Sequence, residues 1–93
     1  MTVHTRAVGG ELTFDTVPAL YQDSLGWFAG TGELVIDLAQ VTRADSAGLA
    51  LLLEWLRGAD QAGCRLRLAN IPHQVQTLIR INGLNGALLS GST

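Results

Sequence analysis

The run ELVIDLAQV, residues 33–41, constrains this chain more than any other stretch. It is aliphatic at most positions, the pattern of a strand covered on both faces in the middle of a sheet. A leucine-rich segment, Ser46 to Ala62, follows and stops at Gly63. After it, CRLRLAN sets Cys64, Leu66 and Leu68 on one side and Arg65 and Arg67 on the other. Such strict alternation marks a half-exposed strand. Two strands joined through a helix pair in parallel by a right-handed crossover. The middle of the chain is therefore read as a βαβ unit, and the flanks have to be arranged around it.

Before it, Val3 to Val8 is β-compatible and meets Gly9-Gly10, a hairpin turn signal, so ELTF reads as a short second strand. Asp15 or Thr16 can cap a helix that tolerates Pro18 in its first turn. Val17, Leu20, Tyr21, Ser24 and Phe28 share one face of that helix, and Gly30 and Gly32 end it. After the unit, Pro72 opens a helix with Val75, Leu78 and Ile79 inward and Asn82-Gly83 as its stop. The tail ALLSGST supplies a short last element. The expected architecture is one α/β domain over residues 1–93, in the order β-β-α-β-α-β-α. Its sheet is mixed and mostly parallel, with helices packed against it.

Composition works mainly by exclusion. At 93 residues, 47% hydrophobic and 15% charged, the chain can bury one core and lies outside the disordered range. Its six basic residues, all arginine, are scattered and the net charge is −2, so no basic patch marks a nucleic-acid partner. Cys64 stands alone, which rules out an intramolecular disulfide. No apolar run approaches the roughly 20 residues that span a bilayer, and the first residues lack the pattern of a signal peptide. A cytoplasmic protein is expected, meeting a membrane only through a partner. His4, His73 and Cys64 are too few and too dispersed for a metal site. No GxxxxGK[ST], GxGxxG or GxSxG motif occurs, so no catalytic residue, metal or cofactor is assigned.

The remaining signal is DSAGL, residues 45–49, where the aliphatic strand hands over to the leucine-rich helix. Ser46 suits an N-cap, as does Asp45, because either side chain can accept a backbone N–H of the first turn. Alternatively the Ser46 hydroxyl faces a partner. Ala47 and Gly48 keep the helix start free of bulk, either for close approach by another polypeptide or for packing on a neighbouring strand. Leu49, Leu52, Leu53 and Leu56 form the core stripe. Leu51 and Trp55 fall on its flank, as exposed interface anchors or as part of a wider buried face. Arg65 and Arg67 read as solvated charges, and Asp37 as an acceptor for backbone hydrogen bonds in the next loop.

The stretch LVIDLAQVTRADSAGLALLLEWLRGADQAGCRLRLAN resembles the STAS domain (sulfate transporter and anti-sigma factor antagonist). Members show an aliphatic strand ending in Asp, here Asp37, then D-S/T-x-G-L opening a helix, here Asp45, Ser46, Gly48 and Leu49. A Gly-led strand follows, here Gly63 into Cys64–Ala69. The run from Val41 to Leu53 is most similar to the free-standing STAS subunit of phospholipid ABC transporters of the Mla type. Arg43 and Ala44, where many antagonists carry a more hydrophobic pair, tilt the same way. The resemblance implies a non-catalytic subunit that binds a transporter's cytoplasmic ATPase, with Arg43, Asp45, Ser46, Ala47, Gly48, Leu51 and Trp55 as the partner-binding set. The alternative it implies is an anti-sigma factor antagonist, in which a partner kinase phosphorylates Ser46.

Overall fold

The structure, a computed structural model, describes residues 3–88. Its elements run β1 (Val3–Leu12), α1 (Val17–Ser24), β2 (Glu33–Ala44), α2 (Ser46–Gln61), β3 (Arg65–Ala69), α3 (His73–Ile81) and α4 (Asn85–Leu88). The strands form one sheet in the order β1-β2-β3, and both pairings are parallel. The α/β class with a parallel sheet and packed helices is as expected.

The front hairpin is not formed. Val3 to Leu12 is one continuous strand, giving the order β-α-β-α-β-α-α. Gly9-Gly10 does not reverse the chain; it sits where the β1–β2 register slips, between Ala7 and Gly9 and again between Gly10 and Glu11. Each slip leaves an extra residue on β2, as when Ala7 faces Asp37 but Gly9 faces Gln40. A side chain at Gly9 would press on the Gln40 Cβ at 3.0 Å, and Gly10 adopts φ +77°, so the glycines serve the bulges. The reversal comes later, at Thr13–Thr16. There the Thr16 hydroxyl donates to the Glu11 carbonyl at 2.6 Å and accepts the Thr13 N–H at 2.9 Å.

Nor is β2 covered on both faces. Leu34, Ile36 and Leu38 are buried, whereas Glu33, Val35 and Asp37 between them are only half-buried. Because β1-α1-β2 and β2-α2-β3 step across the sheet in the same direction, right-handed crossovers lay α1 and α2 on the same face. The core forms there, from Val8 and Leu12 of β1, the inner residues of β2, Leu68 of β3 and Leu49, Leu52, Trp55 and Ala59 of α2. Val75, Ile79 and Leu88 close it from α3 and α4. On the other face none of Thr5, Ala7, Val35, Asp37, Arg67 and Ala69 is fully buried.

The first helix ends at Ser24, short of the expected Gly30, so Phe28 reaches the core from the following loop. Pro72 precedes α3 as expected, with Val75 and Ile79 buried. Of the tail, Leu88 closes α4, and residues 89–93 lie outside the described residues. Arg65 is exposed, and Arg67 pairs with Glu33 at 3.9 Å.

Candidate functional site

The handover from β2 to α2 is fixed by one side chain. Asp45 has extended backbone and is the N-cap of α2; its Oδ1 accepts the N–H of Ala47 at 2.9 Å and of Gly48 at 3.3 Å. Its Oδ2 accepts the N–H of Phe14, in the loop between β1 and α1, at 3.1 Å. Its own N–H donates to the Leu12 carbonyl, also at 3.1 Å. These contacts hold the carboxyl below the ordinary carboxylate range. The Phe14 N–H has the largest effect, the two helix N–H groups and the Arg43 charge add to it, and desolvation opposes it.

Asp45 therefore caps the helix, and Ser46 does not. Ser46 is the first helical residue, exposed, and its hydroxyl makes no hydrogen bond among the described residues. Neither His4 nor His73 is hydrogen-bonded to it, so no nucleophile–base pair forms there. Arg43, one residue before Ala44, is exposed and meets Glu11 across the β1–β2 register at 3.6 Å. Ala44 is gripped on both sides by Gln74 of α3, whose Oε1 accepts the Ala44 N–H at 2.8 Å while its Nε2 donates to the Ala44 carbonyl at 3.0 Å. Beyond Asp37, β2 has no strand partner on its β3 side, and Gln74 supplies an equivalent pair of bonds at its end.

Arg43, Asp45, Ser46 and Ala47 thus come together at one lip. Gly48 lies beneath it, buried, because a Cβ there would collide with the Leu12 carbonyl oxygen and come within 2.9 Å of the Leu12 Cβ. Of the two readings of this glycine, packing on a neighbouring strand is the one realised. Leu51 and Trp55 are corrected more sharply. They are 2% and 1% exposed, so neither is a surface anchor. The apolar stripe of α2 is wide enough to include both, and Trp55 stacks on Trp27 with ring centroids 5.6 Å apart. The Arg6 guanidinium covers Trp27 in turn, 4.6 Å from the ring centroid.

The exposed aromatic at this lip is Phe14, 80% accessible and tied through its backbone to Asp45. Sequence reasoning passed over it. A large apolar residue inside the turn-forming stretch TFDT was the available signal. Beside it, Val17, Pro18, Tyr21, Ala47, Ala50, Leu51 and Glu54 line a groove of about 290 Å³ between α1 and α2.

Inside β2, at its last pair with β3, Asp37 accepts the Ala39 N–H at 2.9 Å and the Asn70 side-chain amide at 3.1 Å. It is an acceptor as expected, but β2 runs on to Ala44, so the backbone it serves belongs to the strand and not to a following loop. The Ala39 bond does most to lower its carboxyl, followed by Asn70. Among the described residues no three His, Cys, Asp or Glu side chains are grouped to hold a metal ion, and no helix is long and apolar enough to cross a membrane.

The family model "Mlab, STAS domain" matches residues 5–90. The intermembrane phospholipid transport system binding protein MlaB of Escherichia coli (strain K12) is 34% identical over 88 residues, covering 95% of this chain and 89% of that one. Among solved structures, a putative anti-sigma factor antagonist from Thermotoga maritima superposes with TM-score 0.77 at 16% identity, covering 90% of this chain and 75% of that one. The anti-sigma factor antagonist SpoIIAA in its unphosphorylated form gives 0.74 at 18%, covering 95% and 79%. At such identities the likeness to these two concerns the fold.

Proposed function

The chain belongs to the STAS domain family in its Mlab branch, and from that premise we propose that it is a non-catalytic accessory subunit of a phospholipid ABC transporter. It binds the transporter's cytoplasmic ATPase through the lip at the start of α2 and supports that enzyme's assembly or activity. The observation that carries this reading is the division of labour between Asp45 and Ser46. Capping is complete without the serine, so the exposed Ser46 hydroxyl, with Ala47 and Phe14 beside it, is left for another surface. Arg43 flanks the same patch. Leu51 and Trp55 act from below, as the packing that keeps α2 rigid.

Co-expression with the ATPase of a phospholipid transporter tests the reading. The two chains are expected to co-purify, and Ser46→Glu, which puts bulk and charge on the lip, to abolish capture without altering the circular dichroism spectrum. Failure of the wild-type chain to co-purify would contradict it.

The same exposed hydroxyl also suits a second reading, an anti-sigma factor antagonist switched by phosphorylation. A phosphate on Ser46 would add about −1.5 to −2 charge next to Asp45, enough to expel a docked partner by repulsion and desolvation. Mass spectrometry after incubation with an anti-sigma factor kinase separates the two. Stoichiometric phosphorylation of Ser46 supports the switch, and an unmodified Ser46 that still releases the sigma factor contradicts it.

A further inference from the structure

Three of the large hydrophobic side chains most exposed among the described residues, Phe14, Tyr21 and Leu25, lie along α1 and its two ends. Pro18, Tyr21 and the capping Leu25 recur at spacings of three and four residues, which places them along one line of α1, with Phe14 in the loop that leads into it. That line borders the groove beginning at Ala47 and Ala50. The groove continues past Tyr21 and Glu54 into a second hollow of about 350 Å³, walled by Leu25, Phe28, Arg57 and Gln61. Together the two make a trough between parallel helices. Its α2 wall from Ala47 to Gln61 is roughly 21 Å long at ~1.5 Å per residue.

Charge is divided unevenly about this trough. Residues 13–25 and 45–62, which hold α1, α2 and their ends, contain five carboxylates (Asp15, Asp23, Asp45, Glu54 and Asp60) and one arginine, Arg57. Glu54 already binds that arginine at 3.1 Å. The rest of the chain holds five arginines and three carboxylates. The trough's own charged residues, Glu54 and Arg57, pair with each other, and the excess of carboxylates belongs to the two helices and their ends that wall it. An apolar floor between net-acidic helices selects its occupant. A helix fits the length and the two parallel walls, apolar residues at three- and four-residue spacing fit the floor, and basic flanks fit the surrounding charge.

We propose that the α1/α2 trough is the seat of a basic-flanked amphipathic helix of the protein partner, continuing the lip at Ser46 along the length of α2. The inference builds on the docking reading above and adds the chemistry of the docked segment. The loop that carries Phe14 leads into the α1 wall of the trough and is tied by its backbone to Asp45, so little loop ordering is left to oppose binding.

The test uses the full chain and a labelled synthetic helix-forming peptide of about 15 residues, the length the trough accommodates. It carries leucines on one face and arginines on both flanks; a control peptide replaces the arginines with glutamates. In fluorescence anisotropy the arginine peptide is expected to bind about tenfold or more tighter than the control at low salt, the gap narrowing as salt screens the flanks. Ala50→Arg and Tyr21→Ala, both on the walls, should each weaken it severalfold or more, while Ile81→Ser, an exposed apolar residue elsewhere, should leave it unchanged. Equal binding of the two peptides, no binding, or wild-type affinity in both wall variants would overturn the proposal. The outcome is separable from the docking reading. ATPase capture with a failed peptide leaves the lip and removes the trough, and peptide binding without ATPase capture does the reverse.

Discussion

The carboxylate of Asp45 reaches the backbone N–H of Phe14, 31 residues earlier in the chain, at 3.1 Å while its other oxygen caps α2. One side chain thus starts a helix and pins the loop that presents the exposed aromatic of the lip. The two roles are separable. In Asp45→Asn the amide oxygen can still accept from Ala47 and Gly48, but an NH₂ group then faces the Phe14 N–H. We expect Asp45→Asn to keep α2 intact and to raise amide exchange at Phe14 and its neighbours, read by NMR.

The same carboxylate sets an acid dependence. Its folded-state pKa lies below the unfolded value of about 3.9, so its contribution is complete above that value and is lost as pH falls through the lower folded one. Asp37 behaves likewise through Ala39 and Asn70. Denaturant midpoints measured from pH 5 down to 2 should therefore fall less steeply for Asp45→Asn than for the wild type, with Asp37 accounting for part of the remaining slope.

Gly48→Ala should be destabilising, against ordinary helix preference. Alanine gains up to about 1 kcal/mol over glycine inside a helix. Here its Cβ meets the backbone oxygen and Cβ of Leu12, which cannot swing away as a flexible side chain would. A net loss of about 1–3 kcal/mol is expected from overpacking, measured by urea denaturation.

Gln74→Leu should loosen the lip from behind. It removes both bonds to Ala44 and leaves that residue's N–H without its partner, at a cost of about 1–3 kcal/mol. The opening should show as faster hydrogen exchange at Ala44, Asp45 and Ser46.

Phe14→Ala and Trp55→Ala should separate binding from stability. Phe14 is mostly exposed, so its truncation should leave the thermal midpoint nearly unchanged and weaken partner capture. Trp55 is fully buried against Trp27, and its loss should cost about 3–5 kcal/mol.

The βαβ centre was legible because its signals are periodic and long, from Leu34, Ile36 and Leu38 through the leucine stripe of α2 to Leu66 and Leu68. The hairpin reading failed at Gly9-Gly10, where a local turn signal competed with a longer one. Val8 and Leu12 keep the parity of a single strand, and both are buried. The site was legible as DSAGL but not in its assignments. Asp45 and Ser46 are equally able to cap by residue type, and it is the fold that sets Asp45 in extended backbone just before the helix, within reach of Phe14, and Ser46 at the first helical position. Leu51 and Trp55 lie on a flank whose burial depends on α1 and the Trp27 loop, elements distant in sequence. Phe14 and Gln74 matter through contacts 31 and 30 residues away, which no local pattern encodes.

The most direct measurement is backbone hydrogen exchange of the full chain with and without the transporter ATPase. Protection is expected at Phe14 and over Ser46–Leu51, with none over Glu33–Asp37 and Arg65–Ala69 beyond that of the free chain. Protection confined to those two strands, with Phe14 and Ser46 exchanging as they do alone, would contradict a docking surface at the start of α2.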